Sequence, residues 1–208
     1  MSIVIGIIGA GRVGATLGRR FRDAGHTVVH GVRSPEDPKH AALITERVHV
    51  DTIASAVARA DVALLATPWS AAQAALSSVN GFDGKVLIDA TNPVGPGMVL
   101  THGTTDSGGE QVARWATSAR VVKAFNCVGM EVMANPQFGD SRSVLFLCGD
   151  DASACSTVAQ LAVDIGFEPL TLGPLSRARF VEPAALVWIT AAATIGTREF
   201  SWGVLRRS

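Results

Sequence analysis

An α/β fold built on a doubly wound parallel sheet is what this sequence predicts, and three observations predict it. The first is the N-terminal run 3–8, continuously apolar as in a strand buried on both faces. The second is the glycine spacing that follows, Gly9, Gly11 and Gly14, which opens an amphipathic stretch over 12–24. The third is the alternation of strand-type and helix-period segments from residue 3 to about residue 125, the pattern of a parallel sheet wrapped by crossover helices.

The strand, glycine turn and helix start read together as a phosphate-binding unit. Gly9 would make the tight turn, Gly11 would let backbone approach a pyrophosphate, and Gly14 would let the helix pack closely on the strand. This is the Rossmann-type arrangement, and it predicts a bound dinucleotide. Gly25 stops the first helix, and Thr27–Val32 is a second strand. Residues 62–66, Val86–Asp89 and 120–124 read as further strands. Ser34-Pro35 and Thr67-Pro68 each place a capping residue before a proline at a helix start. Ser107-Gly108-Gly109-Glu110 is a capping box opening a helix through Trp115. The segment 91–109, rich in Gly, Pro and Thr, is expected as a mobile lid or a disordered connection.

From Gly129 a smaller α/β unit is expected: a short helix to Asn135, a strand over 144–148, a helix Ala152–Asp164, a strand over 168–172, and a long helical region from Leu175. The expected division is a dinucleotide-binding domain over 1–125 and a C-terminal domain over 126–208 that forms the cleft and a dimer interface.

Composition narrows the function. Eighteen basic residues against eighteen acidic ones leave no global field for nucleic acid or an anionic membrane. The longest uncharged apolar stretch, 183–196, is shorter than the roughly 20 residues that span a bilayer. The N-terminus lacks a basic leader, so a cytoplasmic protein is expected, with no membrane and no nucleic-acid partner. Cys127, Cys148 and Cys155 form no CxxC pair, and the five histidines have no ligand spacing, so no metal is expected.

The residues after the second strand select the cofactor. A site for NAD places an acid there, about 20 residues past the glycines. This chain has Val32-Arg33-Ser34 instead, with no carboxylate before Glu36. Arg33 offers a fork for a 2′-phosphate and Ser34 a hydroxyl beside it, so NADP(H) is expected. Other strand ends would complete the site. Thr67, Pro68 and Trp69 follow one strand, Asn92 and Pro93 another, and Asn126 with Cys127 a third. The expected cofactor-binding set is Gly9, Gly11, Arg12, Val13, Gly14, Arg33, Ser34, Thr67, Pro68, Trp69, Asn92 and Pro93. Lys123, Asn126 and Cys127 are expected in the substrate or flavin cleft; for Lys123 a salt bridge at the strand end is the equal alternative.

No tyrosine occurs, which removes the Tyr/Lys acid–base pair of short-chain dehydrogenases. Adjacent Asp150 and Asp151 read as a turn and helix cap, without chemistry. No catalytic residue is therefore expected. What remains is direct hydride transfer between the nicotinamide and a second redox ring, where cofactors carry the chemistry and the protein positions them.

Six stretches carry a family resemblance: GAGRVG, the GVRS after the second strand, ATPW at 66–69, VKAFN at 122–126, LCGDD at 147–151 and GPLSRARFVEP at 173–183. Over nearly its whole length the chain resembles the deazaflavin (coenzyme F-420)-dependent NADP oxidoreductases and the related reductase domain of STEAP-type metalloreductases. The resemblance implies NADP(H) with its 2′-phosphate at Arg33 and Ser34, a flavin-like ring in the cleft, and a homodimer. Two departures bear on the acceptor. Val32 stands where deazaflavin-dependent members commonly carry a serine, and the VKAFN-Cys127 stretch looks more like the metalloreductase domain. The acceptor is left among deazaflavin, FMN, FAD and a small substrate. Two other functions stay open: direct reduction of a small imine or carbonyl, and a non-catalytic NADP(H)-binding sensor or regulatory subunit.

Overall fold

The computed structural model describes residues 2–40 and 48–207. Its strands are β1 (Val4–Ile8), β2 (Thr27–Val32), β3 (His49–Thr52), β4 (Val62–Leu65), β5 (Val86–Asp89), β6 (Val94–Gly95), β7 (Val99–Leu100) and β8 (Arg120–Lys123). Beyond these lie β9 (Gln137–Phe138), β10 (Ser141–Arg142), β11 (Val144–Gly149) and β12 (Glu168–Thr171). The helices are α1 (Arg12–Asp23), α2 (Ile53–Arg59), α3 (Trp69–Ser77), α4 (Gly108–Trp115), α5 (Met130–Ala134), α6 (Ala152–Asp164) and α7 (Ala178–Ile195).

One sheet organises the chain, in the order β12-β11-β8-β5-β4-β1-β2-β3. From β3 to β8 every pairing is parallel, as the alternating pattern predicted. β1 pairs with both β2 and β4, so strand order reverses beside it and opens a crevice at the strands' carboxyl ends. β11 joins the far edge antiparallel to β8, and β12 lies parallel to β11. β11 and β12 thus extend this same sheet, while β9 and β10 pair only with each other.

Helices cover both faces. Ile5, Ile7, Leu17, Phe21, Phe125 and Phe167 are fully buried on one side. Ile8, Leu65, Leu87 and Val112 fill the other. Burying each such side chain contributes about 1.5–3 kcal/mol, which is why the strands read as unbroken apolar runs. α7 buries Ala178, Val181, Glu182, Ala185, Trp188 and Ala192, and leaves Phe180, Val187 and Ile195 exposed. With the turn before it, Leu175–Ile195 is long and apolar enough, by length and composition alone, to cross a membrane.

Three local expectations need correction. The segment 91–109 is not a disordered connection: residues 94–100 form the β6–β7 hairpin, fastened where the Thr101 amide donates to Pro93 O at 2.7 Å. Thr67 does not cap α3: Pro68 is extended at ψ 145°, so the helix begins at Trp69 with no side-chain cap. Ser34-Pro35 starts no helix either, because the Asp37 amide closes a turn onto Ser34 O. The other caps form as read. Ser107 accepts from the Glu110 amide, and Asp151 accepts from the Ala154 amide at 2.7 Å.

Candidate active site

The glycine turn lies over the crevice beside β1. Gly9 has φ +117°, and a side chain there would meet Ala66 O at 2.7 Å, so only glycine fits. A side chain at Gly14 would meet Gly9 O at 2.8 Å, which is the close approach of α1 to its own turn. Gly11 faces open space and is the N-cap of α1, where no side chain caps the helix. The first-turn amides of Arg12, Val13 and Gly14 therefore present an uncapped helix N-terminus.

A cavity of about 650 Å³ lies against this turn. Gly9, Gly11, Arg33, Thr67 and Pro68 line it, together with His40 and the alanine face of α3. Thr67 Oγ1 is buried with no hydrogen-bond partner among the described residues, in a residue that lines this cavity. A glycine turn leading into an uncapped helix, a threonine with an unpaired hydroxyl and an exposed arginine around one cavity fit a dinucleotide with a phosphorylated ribose. Ser34 is exposed next to Arg33 but does not line this cavity.

A second cavity of about 420 Å³ is lined by Arg12, the residue that follows Gly11 of the first. Arg12, Val13, Asn92 and Asn126 form one wall, and Val128, Gly129 and Met130 continue it. Ala185, Trp188 and Ile189 of α7 close it with Arg198. Asn92 Nδ2 donates to Asn126 O at 2.9 Å, and Asn126 Nδ2 donates to Asn92 Oδ1 at 3.0 Å. This pair joins the ends of β5 and β8 beneath the cavity. Phe125, at φ 65°, turns the chain into it; its ring is held edge-on by Phe21 and Phe167.

Four expected residues are placed elsewhere. Lys123 does not face the cleft: it is fully buried, with Nζ 2.9 Å from both Asp89 and Glu182 and 2.6 Å from Thr91 O. Asp89 and Lys123 are register partners across β5 and β8, so their side chains share the sheet's inner face. Burial pushes the lysine's pKa down, but the two carboxylates outweigh it and hold it above the ordinary value. Cys127 is also buried, its thiol donating to Val181 O at 2.9 Å, and burial pushes it up to about 12. Trp69 packs on Trp115 at 5.1 Å and lines neither cavity. Pro93 is buried against Gly108.

The F420-dependent NADP reductase of Methanothermobacter marburgensis is 32% identical over 191 residues, covering 84% of this chain and 85% of that protein. The chain belongs to the F420-dependent NADP oxidoreductase family. The family model described as "NADP oxidoreductase coenzyme F420-dependent" matches residues 4–93. A crystal structure assigned as an F420-dependent NADP reductase from Arthrobacter sp. FB24 superposes with a TM-score of 0.91, at 31% identity over 99% of this chain and all of that one. The rat metalloreductase STEAP3 is 33% identical over 183 residues, 88% of this chain. The chain spans about a third of that protein's length, 36%. Membership makes the chain an NADP-dependent oxidoreductase by family.

Sequence reasoning missed several residues that line these two cavities. His40 and Arg198 carry no local motif, and Trp188 was legible only as core or interface. His30 lies under the turn, 1% exposed, with Nδ1 donating to Gly9 O at 3.1 Å and Nε2 against Gly18. Burial lowers its pKa from the ordinary 6.5, with Arg22 and His40 adding to the effect and the Gly9 hydrogen bond opposing it. The unfolded chain therefore binds this proton more readily. The stability held by neutral His30 is complete above about pH 6.5 and is lost as pH falls through the lower folded value. Thermal melts from pH 8 to pH 5 should show Tm falling on acidification, with a shallower fall in His30→Gln. Parallel profiles would remove His30 from the account.

Proposed function

We propose that this protein transfers hydride directly between NADP(H) and a deazaflavin or flavin ring held in the second cavity. One observation carries the reading: among the described residues, the lining of that cavity includes no His, Cys, Lys or carboxylate that could serve as a proton donor. Asn92 and Asn126 bond to each other, and the Cys127 thiol is buried and held protonated. Reduction of a carbonyl or imine needs a proton donor at the reacting atom; transfer between two rings needs alignment and exclusion of water.

The chain's residues divide the work along the crevice. Gly11 and the first-turn amides of Arg12, Val13 and Gly14 would hold the pyrophosphate. Arg33 would take the 2′-phosphate, with Ser34 beside it, and Thr67 Oγ1 would gain the partner it lacks. Gly11 lines the first cavity and Arg12 the second, so a dinucleotide crossing the turn would reach from one into the other. Bound there, the nicotinamide supplies or accepts one hydride, two electrons with a proton. The Asn92–Asn126 pair forms a fixed polar floor, and Trp188, 3% exposed, supplies an apolar wall that keeps water out.

The test is NADPH oxidation with deazaflavin coenzyme, FMN, FAD and a panel of small carbonyls and imines offered separately. Turnover is expected with ring acceptors. Turnover confined to carbonyls or imines overturns the reading, and tight NADPH binding without turnover of any acceptor marks a sensor.

A further inference from the structure

Two arginines stand at the second cavity, one from each side. Arg12 comes from the first turn of α1 and Arg198 from the segment after α7. Arg198 donates from Nε to Glu131 Oε1 at 2.9 Å, and its guanidinium lies 4.9 Å from the centre of the Trp188 ring. Trp188 is itself immobilised. Its Nε1 donates to Phe200 O at 3.1 Å, the Phe200 ring stacks on it at 5.1 Å, and a side chain at Gly129 would collide with it. Arg198 is thus held through one nitrogen and its flat face. Among the described residues no hydrogen bond engages its two terminal nitrogens.

The local charge balance points to a ligand. Glu131 is the carboxylate of this corner; burial raises its pKa, but its own backbone amide, Arg198 and Arg12 more than reverse that and keep it ionised. The two charged residues that line the cavity, Arg12 and Arg198, are both cationic, while the chain as a whole is neutral. The buried cluster of Lys123 with Asp89 and Glu182 formally carries one negative charge behind the cavity, so the cationic character belongs to the two arginines at its surface. A guanidinium with free terminal nitrogens on a rigid platform matches the geometry of an oxyanion.

We propose that Arg198 is a specificity residue for an acceptor whose ring carries an anionic tail, a phosphate or carboxylate, with Arg12 adding to the same field. The inference rests on the second cavity being the acceptor site. Arg198 touches the tail and takes no part in the hydride step, so it sets acceptor affinity and leaves the rate at saturation alone.

Paired ligands test this, each pair sharing a ring and differing in the tail: FMN against riboflavin, and the deazaflavin coenzyme against its tail-less chromophore. Binding is read by fluorescence quenching on NADP+-loaded protein, and turnover by NADPH oxidation. The wild type should prefer the anionic member of each pair. Arg198→Ala should weaken FMN and the deazaflavin coenzyme about tenfold or more in Kd and KM. The uncharged rings should lose far less, and the loss should fall on KM more than on kcat. Arg198→Lys should recover part of the loss, and added salt should erase the preference in the wild type. Equal losses for charged and uncharged members, or none for either, overturn the assignment. Retention of the Arg198-dependent preference in binding without any hydride transfer overturns the proposed function and leaves the binding assignment standing.

Discussion

Lys123→Met lowers stability by about 3–5 kcal/mol, because it leaves two buried carboxylates facing each other without their cation. Lys123 is enclosed by Asp89, Glu182 and Thr91 O, none more than 3% exposed. Glu182 reaches this point from α7, and its two oxygens also accept the amides of Gly108 and Gly109, each at 2.9 Å. The cluster therefore joins the ends of β5 and β8, the start of α4 and the wall of the second cavity. For a chain of this size the loss lowers Tm on the order of 10 °C. Lys123→Met in a Glu182→Gln background should cost clearly less than Lys123→Met alone, because one uncompensated charge has gone with its partner. Denaturant unfolding of the four proteins in that cycle reads the coupling. Zero coupling would mean the cost is lost packing and not stranded charge. The damage reaches the site as well: Thr91 donates to Asp89 Oδ1 through both its amide and its hydroxyl, and Asn92 follows directly.

Arg33→Ala weakens NADPH about tenfold to a hundredfold, about 1.4–2.8 kcal/mol, and leaves NADH nearly unchanged. The two cofactors differ only in the 2′-phosphate. Arg33 lines the first cavity at the end of β2, the position where a carboxylate would repel that phosphate. Because the contact is ionic and exposed, the wild-type preference should shrink as salt rises, while the variant's affinities respond little. Calorimetric titration of each cofactor at two ionic strengths measures both. Equal losses for NADPH and NADH would place the phosphate elsewhere, with buried His40 of the same cavity the next residue to test.

Much of the sheet was legible because each signal is local. Apolar runs over β1, β4 and β5 reflect burial on both faces, and Gly9 and Gly14 mark one turn within six residues of sequence. The Ser107–Glu110 box and the Asp151 cap involve residues three apart. β3 and α2 were not singled out: β3 is a half-buried edge strand of four residues with no apolar run. The hairpin at 94–100 was read as irregular because its strands are two residues each.

The site divides along the same line. The glycine turn, Arg33 and the strand-end residues Thr67, Asn92 and Asn126 follow strands recognisable by themselves, so their approach to one crevice follows from the topology of a parallel sheet. Lys123 reads differently in sequence and in space. A lone lysine in an apolar strand fits a cleft or a salt bridge equally well until Asp89, its neighbour in register, and Glu182, from a distant helix, are seen around it. Trp188 and Arg198 come from the other end of the chain and carry no motif. By itself, then, the sequence determined the doubly wound sheet, the glycine turn and the arginine that stands where an acid would end β2, all of which lie within one strand–turn–helix unit or at the residue ending a strand. Tertiary structure alone decided that β11 and β12 extend the same sheet, that Lys123 is a buried cation, and that α7 and Arg198 close the second cavity. Those features depend on pairings between residues far apart in the chain, whose energies are set by packing and burial and leave no periodicity to read.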